Sequence, residues 1–296
     1  DSERIDIKIA YANILLQLKE ITIARKMFQE VIELNSNSAE GFNGLGLSTI
    51  EINDLDQAEL YFKNAVAIDK NYVEAYNNYG IVLLRKNKLS DAIKVFKVAI
   101  EINKDYLLSY SNLGKCYLDM GRLDDARKTF LVGLKINSKY QPIVRNMVDL
   151  NLILEKFTEA ERLVKQMMLD KPRDADLFNA LGTIYEKKED LIRAEKAINK
   201  ALEIQENHFD AKINLATIKY QYGEVHEAIE ILVKLATERG DDPDLNNNLG
   251  NLYLTIGSFK IGWEKYDYRW KVFPLKKSIW PIKDQELWEG QRDKKV

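Results

Sequence analysis

Few side chains in this sequence are of the types that catalyse or bind metal. Its 296 residues include one Cys and two His, namely Cys116, His208 and His226. A single thiol closes no internal disulfide, and one Cys with two His cannot complete a tetrahedral zinc site without carboxylates. No phosphate-cradling glycine loop, GxSxG nucleophile turn or HExxH zinc helix occurs, and the carboxylates alternate with Lys and Arg as on solvated helix faces. No catalytic constellation, metal or cofactor is therefore expected. What does recur is carboxamide: Asn78, Asn112, Asn146, Asn214 and Asn248 share one phase of a 34-residue spacing, and Asn43, Asn77, Asn179 and Asn247 stand one residue ahead of it. A carboxamide carries two donors and an acceptor, which match the C=O and N–H groups of an extended peptide without selecting its side chains.

The elements that position these residues follow from the same period. Ala24, Ala58, Ala92, Ala126, Ala160, Ala194 and Ala228 are each 34 apart, and they define eight units beginning at Ile5, Ala39, Val73, Leu107, Gln141, Ala175, Phe209 and Pro243. The eighth position is small in most units (Ala12, Gly46, Gly80, Gly114, Gly182, Ala216, Gly250, with Val148 in the fifth). The twenty-fourth is large (Phe28, Phe62, Phe96, Phe130, Val164, Ile198, Leu232, Tyr266). Apolar residues recur at three and four on both sides of a polar turn, as in Tyr76, Tyr79, Gly80 and Leu83, then Ala92, Val95, Phe96, Ala99 and Ile100. This is the pattern of two amphipathic helices. Asp56, Ser90, Asp124 and Thr158 are expected to cap the second helices, with Asp56–Glu59 and Thr158–Glu161 as capping boxes. One such pair cannot bury two apolar faces alone, so the units must stack into an α-solenoid.

Composition sets the limits of function. The chain is 46% hydrophobic and 30% charged, and 44 Lys and Arg against 46 Asp and Glu leave a formal charge of −2. No global field draws it to nucleic acid. No apolar run approaches the roughly 20 residues needed to span a bilayer, so no membrane association is expected. One buried-type cysteine suits a reducing, cytoplasmic setting. The opening DSERIDIK has neither an initiator Met nor a signal-like core and reads as the start of a fragment.

The order of aromatic, Leu-Gly, Tyr, Ala, Phe and Ala within each unit resembles the tetratricopeptide repeat. Tyr76, Tyr79-Gly80, Ala92, Phe96 and Ala99 carry the likeness in the third unit, and Tyr110, Leu113-Gly114, Tyr117, Ala126 and Phe130 in the fourth. It covers residues 5–276 without insertion. The departures are Val148 and Met167 in the fifth unit, Arg269 in the eighth, and a late Pro only at Pro172. The resemblance implies an all-α, right-handed superhelix of eight 34-residue repeats. It also implies a concave groove lined by the second, fifth, sixth, ninth, twelfth and thirteenth positions of each first helix. The in-phase asparagines fall at the fifth and sixth positions, with Lys115 and Arg145 beside them, and are similar to the asparagine ladder of the O-linked N-acetylglucosamine transferase repeat arm. Acidic second positions (Asp6, Glu40, Glu74, Asp176, Asp210, Asp244) speak against a carboxylate clamp for chaperone tails. Replacing Asn78, Asn112 and Asn146 together by Ala is expected to abolish partner binding and leave melting unchanged.

All four tryptophans, Trp263, Trp270, Trp280 and Trp288, lie near the C-terminus. Gly262, Trp263, Tyr266, Arg269 and Trp270, then Trp288 with Gly290, resemble the junction of bacterial tetratricopeptide proteins that run on into a glycosyltransferase-like domain. Residues 277–296 then form a cap or a linker into such a domain. The expected function is capture of a protein or extended peptide, as the substrate arm of a larger transferase; the alternative is a stand-alone assembly scaffold. A homodimer through the solenoid ends is open.

Overall fold

A computed structural model of the chain describes residues 2–240 and 242–268. Among these residues there are only helices and turns. Each repeat is a helical hairpin: α1 (Ser2–Gln17) with α2 (Ile21–Leu34), α3 (Ala39–Glu51) with α4 (Leu55–Ile68), α5 (Val73–Arg85) with α6 (Leu89–Ile102), and α7 (Leu107–Asp119) with α8 (Leu123–Ile136). The alternation continues with α9 (Gln141–Ile153) and α10 (Phe157–Asp170), α11 (Ala175–Lys187) and α12 (Leu191–Ile204), α13 (Phe209–Gln221) and α14 (Val225–Glu238), and α15 (Pro243–Thr255) and α16 (Phe259–Tyr266). The fold is an α-solenoid of helical repeats. The chain divides into two compact units, up to Lys165 and from Gln166 onward.

The eighth and twenty-fourth positions explain how each hairpin closes. A Cβ placed on Gly46 would sit 2.6 Å from the Phe62 ring, and one on Gly80 would sit 2.5 Å from Phe96. The phenylalanines at 28, 62, 96 and 130 are fully buried. Glycine on the first helix is the space into which the aromatic ring of the second fits. In the second unit of the chain, Ile198 takes the same place against Gly182.

The turns inside the hairpins are also periodic. Lys19, Asn53, Asn87, Gly121, Glu155, Glu189, Gly223 and Gly257, all at the fifteenth position, have φ between +55° and +83°. The next residue's N–H returns to the first helix, as in Lys88 N to Leu83 O at 2.8 Å and Arg122 N to Tyr117 O at 2.8 Å. This is the Schellman ending, in which a left-handed residue lets two backbone donors satisfy the last carbonyls. It also corrects the expected caps. Because the residue after the left-handed one already flanks the second helix, the N-caps are Asp54, Lys88 and Arg122, whereas Asp56, Ser90, Asp124 and Thr158 are second helical residues. Asp54 accepts from Gln57 N at 3.1 Å.

Glu59 closes no capping box. Its carboxylate meets Lys63 at 2.7 Å, Lys86 at 2.6 Å and Lys88 at 2.9 Å. Burial alone would raise its pKa, but the three ammonium groups hold it at about 2. Glu161 instead pairs with Lys165 at 2.8 Å.

Candidate functional site

The asparagines at the fifth and sixth positions lie on the first helices and meet one another across successive repeats. Asn78 Nδ2 donates to Asn43 Oδ1 at 3.0 Å, and Asn112 Nδ2 donates to Asn77 Oδ1 at 2.9 Å. Asn146 Nδ2 donates to Ser111 Oγ at 3.0 Å. In the second unit of the chain Asn214 Nδ2 donates to Asn179 Oδ1 at 2.8 Å and reaches Thr183 Oγ1 at 3.2 Å. Each pair is a rung between neighbouring first helices: the sixth-position amide donates to the fifth position of the preceding repeat. The ladder thus begins as an inter-repeat bond, and only the sixth-position C=O and one N–H are left for a ligand.

The fifth-position partners are themselves tied down. Asn43 is buried and donates to Tyr72 Oη at 3.3 Å. Burial, with Glu40 and Glu74 nearby, pushes that phenol up to about 12, so it stays a neutral partner. Asn77 is fully buried and its Oδ1 also accepts from Ser109 Oγ at 3.3 Å. Gly44 explains why the second repeat has no sixth-position asparagine: a Cβ there would run into the Phe28 ring.

Asn248 differs from the other sixth-position asparagines. The fifth position before it is Ile213, which offers no acceptor, and among the described residues the Asn248 carboxamide has no intramolecular partner. Here the first helices α13 and α15 border a groove of about 680 Å³. Its floor is Ala216 and Leu232, and its walls carry Thr217, Tyr220, Asn248 and Asn251. Leu232 occupies the position where the first four repeats have Phe. The wall residues named are uncharged. Tyr220, Thr217 and Asn251 fall at the twelfth and ninth positions implied by the repeat pattern, but they were not singled out from sequence because they are not in phase with the other asparagines.

The remaining residues of interest take separate places. Lys115 and Arg145 are exposed on their first helices, and Lys115 lies 3.9 Å from Asp119. Asn247 is half-buried, with an Oδ1 that has no partner. Cys116 is buried, which pushes its thiol up to about 12 and makes it a core group rather than a nucleophile. His208 is the N-cap of α13. Its Nδ1 accepts from Ala211 N at 3.3 Å, and Nε2 lies 3.0 Å from Asp176 Oδ1. His226 is the second residue of α14, after the N-cap Glu224. Among the described residues no group of three or more His, Cys, Asp or Glu is placed to hold a metal ion, and no described helix is long and apolar enough to cross a membrane. In α16, Trp263 is half-exposed and stacks edge-on against Tyr266 at 5.7 Å. Arg269, Trp270, Trp280 and Trp288 lie outside the described residues.

Comparison with known proteins gives these hairpins a class. Tetratricopeptide-repeat profiles match residues 61–94, 83–147 and 175–208, so these segments are similar to tetratricopeptide repeats. Such repeats are scaffolds for protein–protein interaction. A tetratricopeptide repeat protein from Parabacteroides merdae superposes with a TM-score of 0.69 at 16% identity, over 79% of this chain and 93% of that one. The APC/C hetero-tetramer Cut9–Hcn1 superposes at 0.64 with 14% identity, over 92% of this chain and 54% of that one. Pseudomonas aeruginosa pilF superposes at 0.61 with 18% identity, over 71% of this chain and 96% of that one. At these identities the likeness shows the fold alone. A comparison with curated proteins found no match.

Proposed function

We propose that this chain binds extended protein segments on its first helices, and that within the unit from Gln166 onward the groove between α13 and α15 is the principal anchor. The observation that carries this reading is Asn248. A half-buried carboxamide with no partner among the described residues faces a groove of about 680 Å³, beside the half-exposed Tyr220. Its N–H and C=O can take up one peptide unit of a ligand, while the apolar floor accepts one side chain. The uncharged walls select a segment without a charge at that point. Along the rungs, the free carbonyls of Asn78, Asn112 and Asn146 offer acceptors to backbone N–H groups.

A display library of unstructured segments, selected on the wild-type chain, supplies the probe. Selected peptides are re-measured by fluorescence anisotropy against Asn248→Ala and Tyr220→Ala. Loss of at least tenfold in affinity with the Asn248 variant is expected, and equal binding by both variants and the wild type overturns the assignment. The finer reading, a recognition arm ahead of a glycosyltransferase-like domain, rests on the resemblance of Gly262 to Trp270 and of Trp288 with Gly290. It is tested by reading the coding sequence past Val296. A stand-alone scaffold would instead lose partners on mutation of the convex surface, with groove variants silent.

A further inference from the structure

The last position of three successive repeats is a tyrosine: Tyr72, Tyr106 and Tyr140, all half-buried. Each is the N-cap residue of the next first helix, and none of the three phenols bonds to that helix as a cap. Between them, at the second position, stand the exposed carboxylates Glu40 and Glu74. Burial and then Glu40 and Glu74 raise the Tyr72 phenol, and burial and then Glu74 raise that of Tyr106, so Glu74 is close to both rings. All of these residues lie in the compact unit that ends at Lys165.

The carboxylates of this edge lack counter-ions. In the same unit Glu30 pairs with Lys8, Glu51 with Lys19 and Asp56 with Lys86, but among the described residues Glu40 and Glu74 form no ion pair and no side-chain hydrogen bond. Asp69 accepts from Asn71 N at 2.8 Å, within its own turn. Lys70 and Lys104, exposed in the turns of the same edge, pair with none of them. Around Glu40 the edge forms a cavity of about 450 Å³ whose charged lining is Asp6, Glu40 and Asp69, with Tyr72 beside them. Acidic residues suit the first turn of any helix. Here they alternate with aromatic faces, the combination that holds a Lys or Arg side chain both by its charge and by its stem.

A buried donor is turned to the same edge. Asn77 is 0% exposed, and its Nδ2 has no partner. Its Oδ1 accepts from Asn112 as Asn43 Oδ1 accepts from Asn78, so its Nδ2 points where Asn43 Nδ2 points, towards the last-position tyrosine. Asn43 Nδ2 reaches Tyr72 Oη at 3.3 Å. One repeat on, the bond is open: Tyr106 Oη makes no hydrogen bond among the described residues. A buried donor left unmet carries a desolvation cost that an acceptor supplied by a ligand removes.

On the reading that the first helices take up extended segments, we propose that this edge of the first unit binds a segment rich in Lys or Arg, its cationic side chains seated between the tyrosines against Glu40 and Glu74. A backbone carbonyl of the same segment meets Asn77 Nδ2 as the Tyr106 ring turns aside. Neighbouring first helices are about 10 Å apart and an extended chain rises about 3.3 Å per residue, so one cation at every third residue matches the repeats.

The test uses the full chain and a labelled peptide of about four Gly-Arg-Ser triplets, which sets Arg at that spacing, beside Gly-Gln-Ser and Gly-Glu-Ser peptides of equal length. Fluorescence anisotropy at fixed ionic strength is expected to show the Arg peptide binding about tenfold or more tighter than either of the others. Glu40→Gln with Glu74→Gln is expected to lose about tenfold in affinity for it; both side chains are exposed, so the variant keeps its fold, which circular dichroism checks. Tyr106→Leu, which removes one ring face, is expected to lose about fivefold. Glu33→Gln with Glu101→Gln removes the same charge from exposed sites on second helices and is expected to bind as the wild type does. Asn248→Ala is also expected to leave the Arg peptide unaffected, so failure of the α13–α15 anchor and failure of this edge are read separately. Equal binding of the Arg and Gln peptides overturns the proposal. So does an equal loss in the Glu33 and Glu101 variant, which would reduce the attraction to the overall charge of the chain.

Discussion

Replacing Asn78, Asn112 and Asn146 together by Ala tests whether the asparagine ladder is a device of folding as well as of binding. All three lie in the compact unit that ends at Lys165, and each donates across a repeat boundary, at 3.0, 2.9 and 3.0 Å respectively. A net neutral hydrogen bond is worth about 1 kcal/mol, and a buried acceptor left stranded, as Asn43 Oδ1 would be, adds cost. Three rungs come to roughly 4 kcal/mol in total. Alanine is the better helix former by about 0.6 kcal/mol per site, which returns roughly 2 kcal/mol. The net loss is about 2 kcal/mol. With an unfolding entropy of about 2.1 cal/mol/K per residue, a unit of this length loses melting temperature at about 3 °C per kcal/mol, so the triple variant melts about 6 °C lower.

Asn248→Ala is the control, and its sign is opposite. This asparagine has no rung to lose, so the helix-propensity gain of about 0.6 kcal/mol leaves the melting temperature unchanged or slightly raised. Thermal unfolding followed by circular dichroism at 222 nm, with both variants in one buffer, reads the contrast directly. A triple variant that melts with the wild type refutes the rungs as stabilising contacts, and an Asn248 variant that melts several degrees lower refutes the claim that it stands free. The double-mutant cycle Asn77→Ala with Asn112→Ala is expected to return a coupling of about 1 kcal/mol.

Glu59→Gln removes a carboxylate held at about 2 against an ordinary 4.5, a difference worth roughly 3 kcal/mol at about 1.4 kcal/mol per pH unit. Because the folded value is the lower one, this stability is present above about pH 4.5 and is lost as the pH falls towards 2. Urea titrations from pH 7 to pH 2 are expected to show the wild type losing its advantage over Gln in that window, and parallel curves would refute it. Glu155→Gly and Glu189→Gly relieve left-handed residues with φ of +55° and +59° and are each expected to stabilise by about 0.5–1 kcal/mol. Gly121→Ala, at φ +70°, should lose about 1 kcal/mol, and equal midpoints in urea would refute the strain argument. Gly80→Val should force the Phe96 ring from its place and cost about 1–3 kcal/mol, read as a lowered melting temperature.

The period made the hairpins legible because small and large residues at the eighth and twenty-fourth positions are locked to each other by contact. The approach of Gly46 to Phe62 is repeated at Gly80 with Phe96, Gly114 with Phe130 and Gly182 with Ile198, so it leaves the same trace in several copies of the repeat. Cap positions were less legible: Asp56 and Thr158 have the right chemistry for an N-cap, but the left-handed residue at the fifteenth position starts the helix earlier than side-chain type suggests. The ladder was legible as a set and misleading as a surface. Spacing shows that Asn78 and Asn112 share a face, but not that one donor of each is already spent on Asn43 and Asn77, because a hydrogen bond between residues 35 apart depends on how closely first helices approach. Asn248 follows from the same geometry in reverse. Its fifth-position neighbour is Ile213, so the residue that breaks the polar pattern leaves the carboxamide without a rung, and the proposed anchor is placed at that interruption of the ladder.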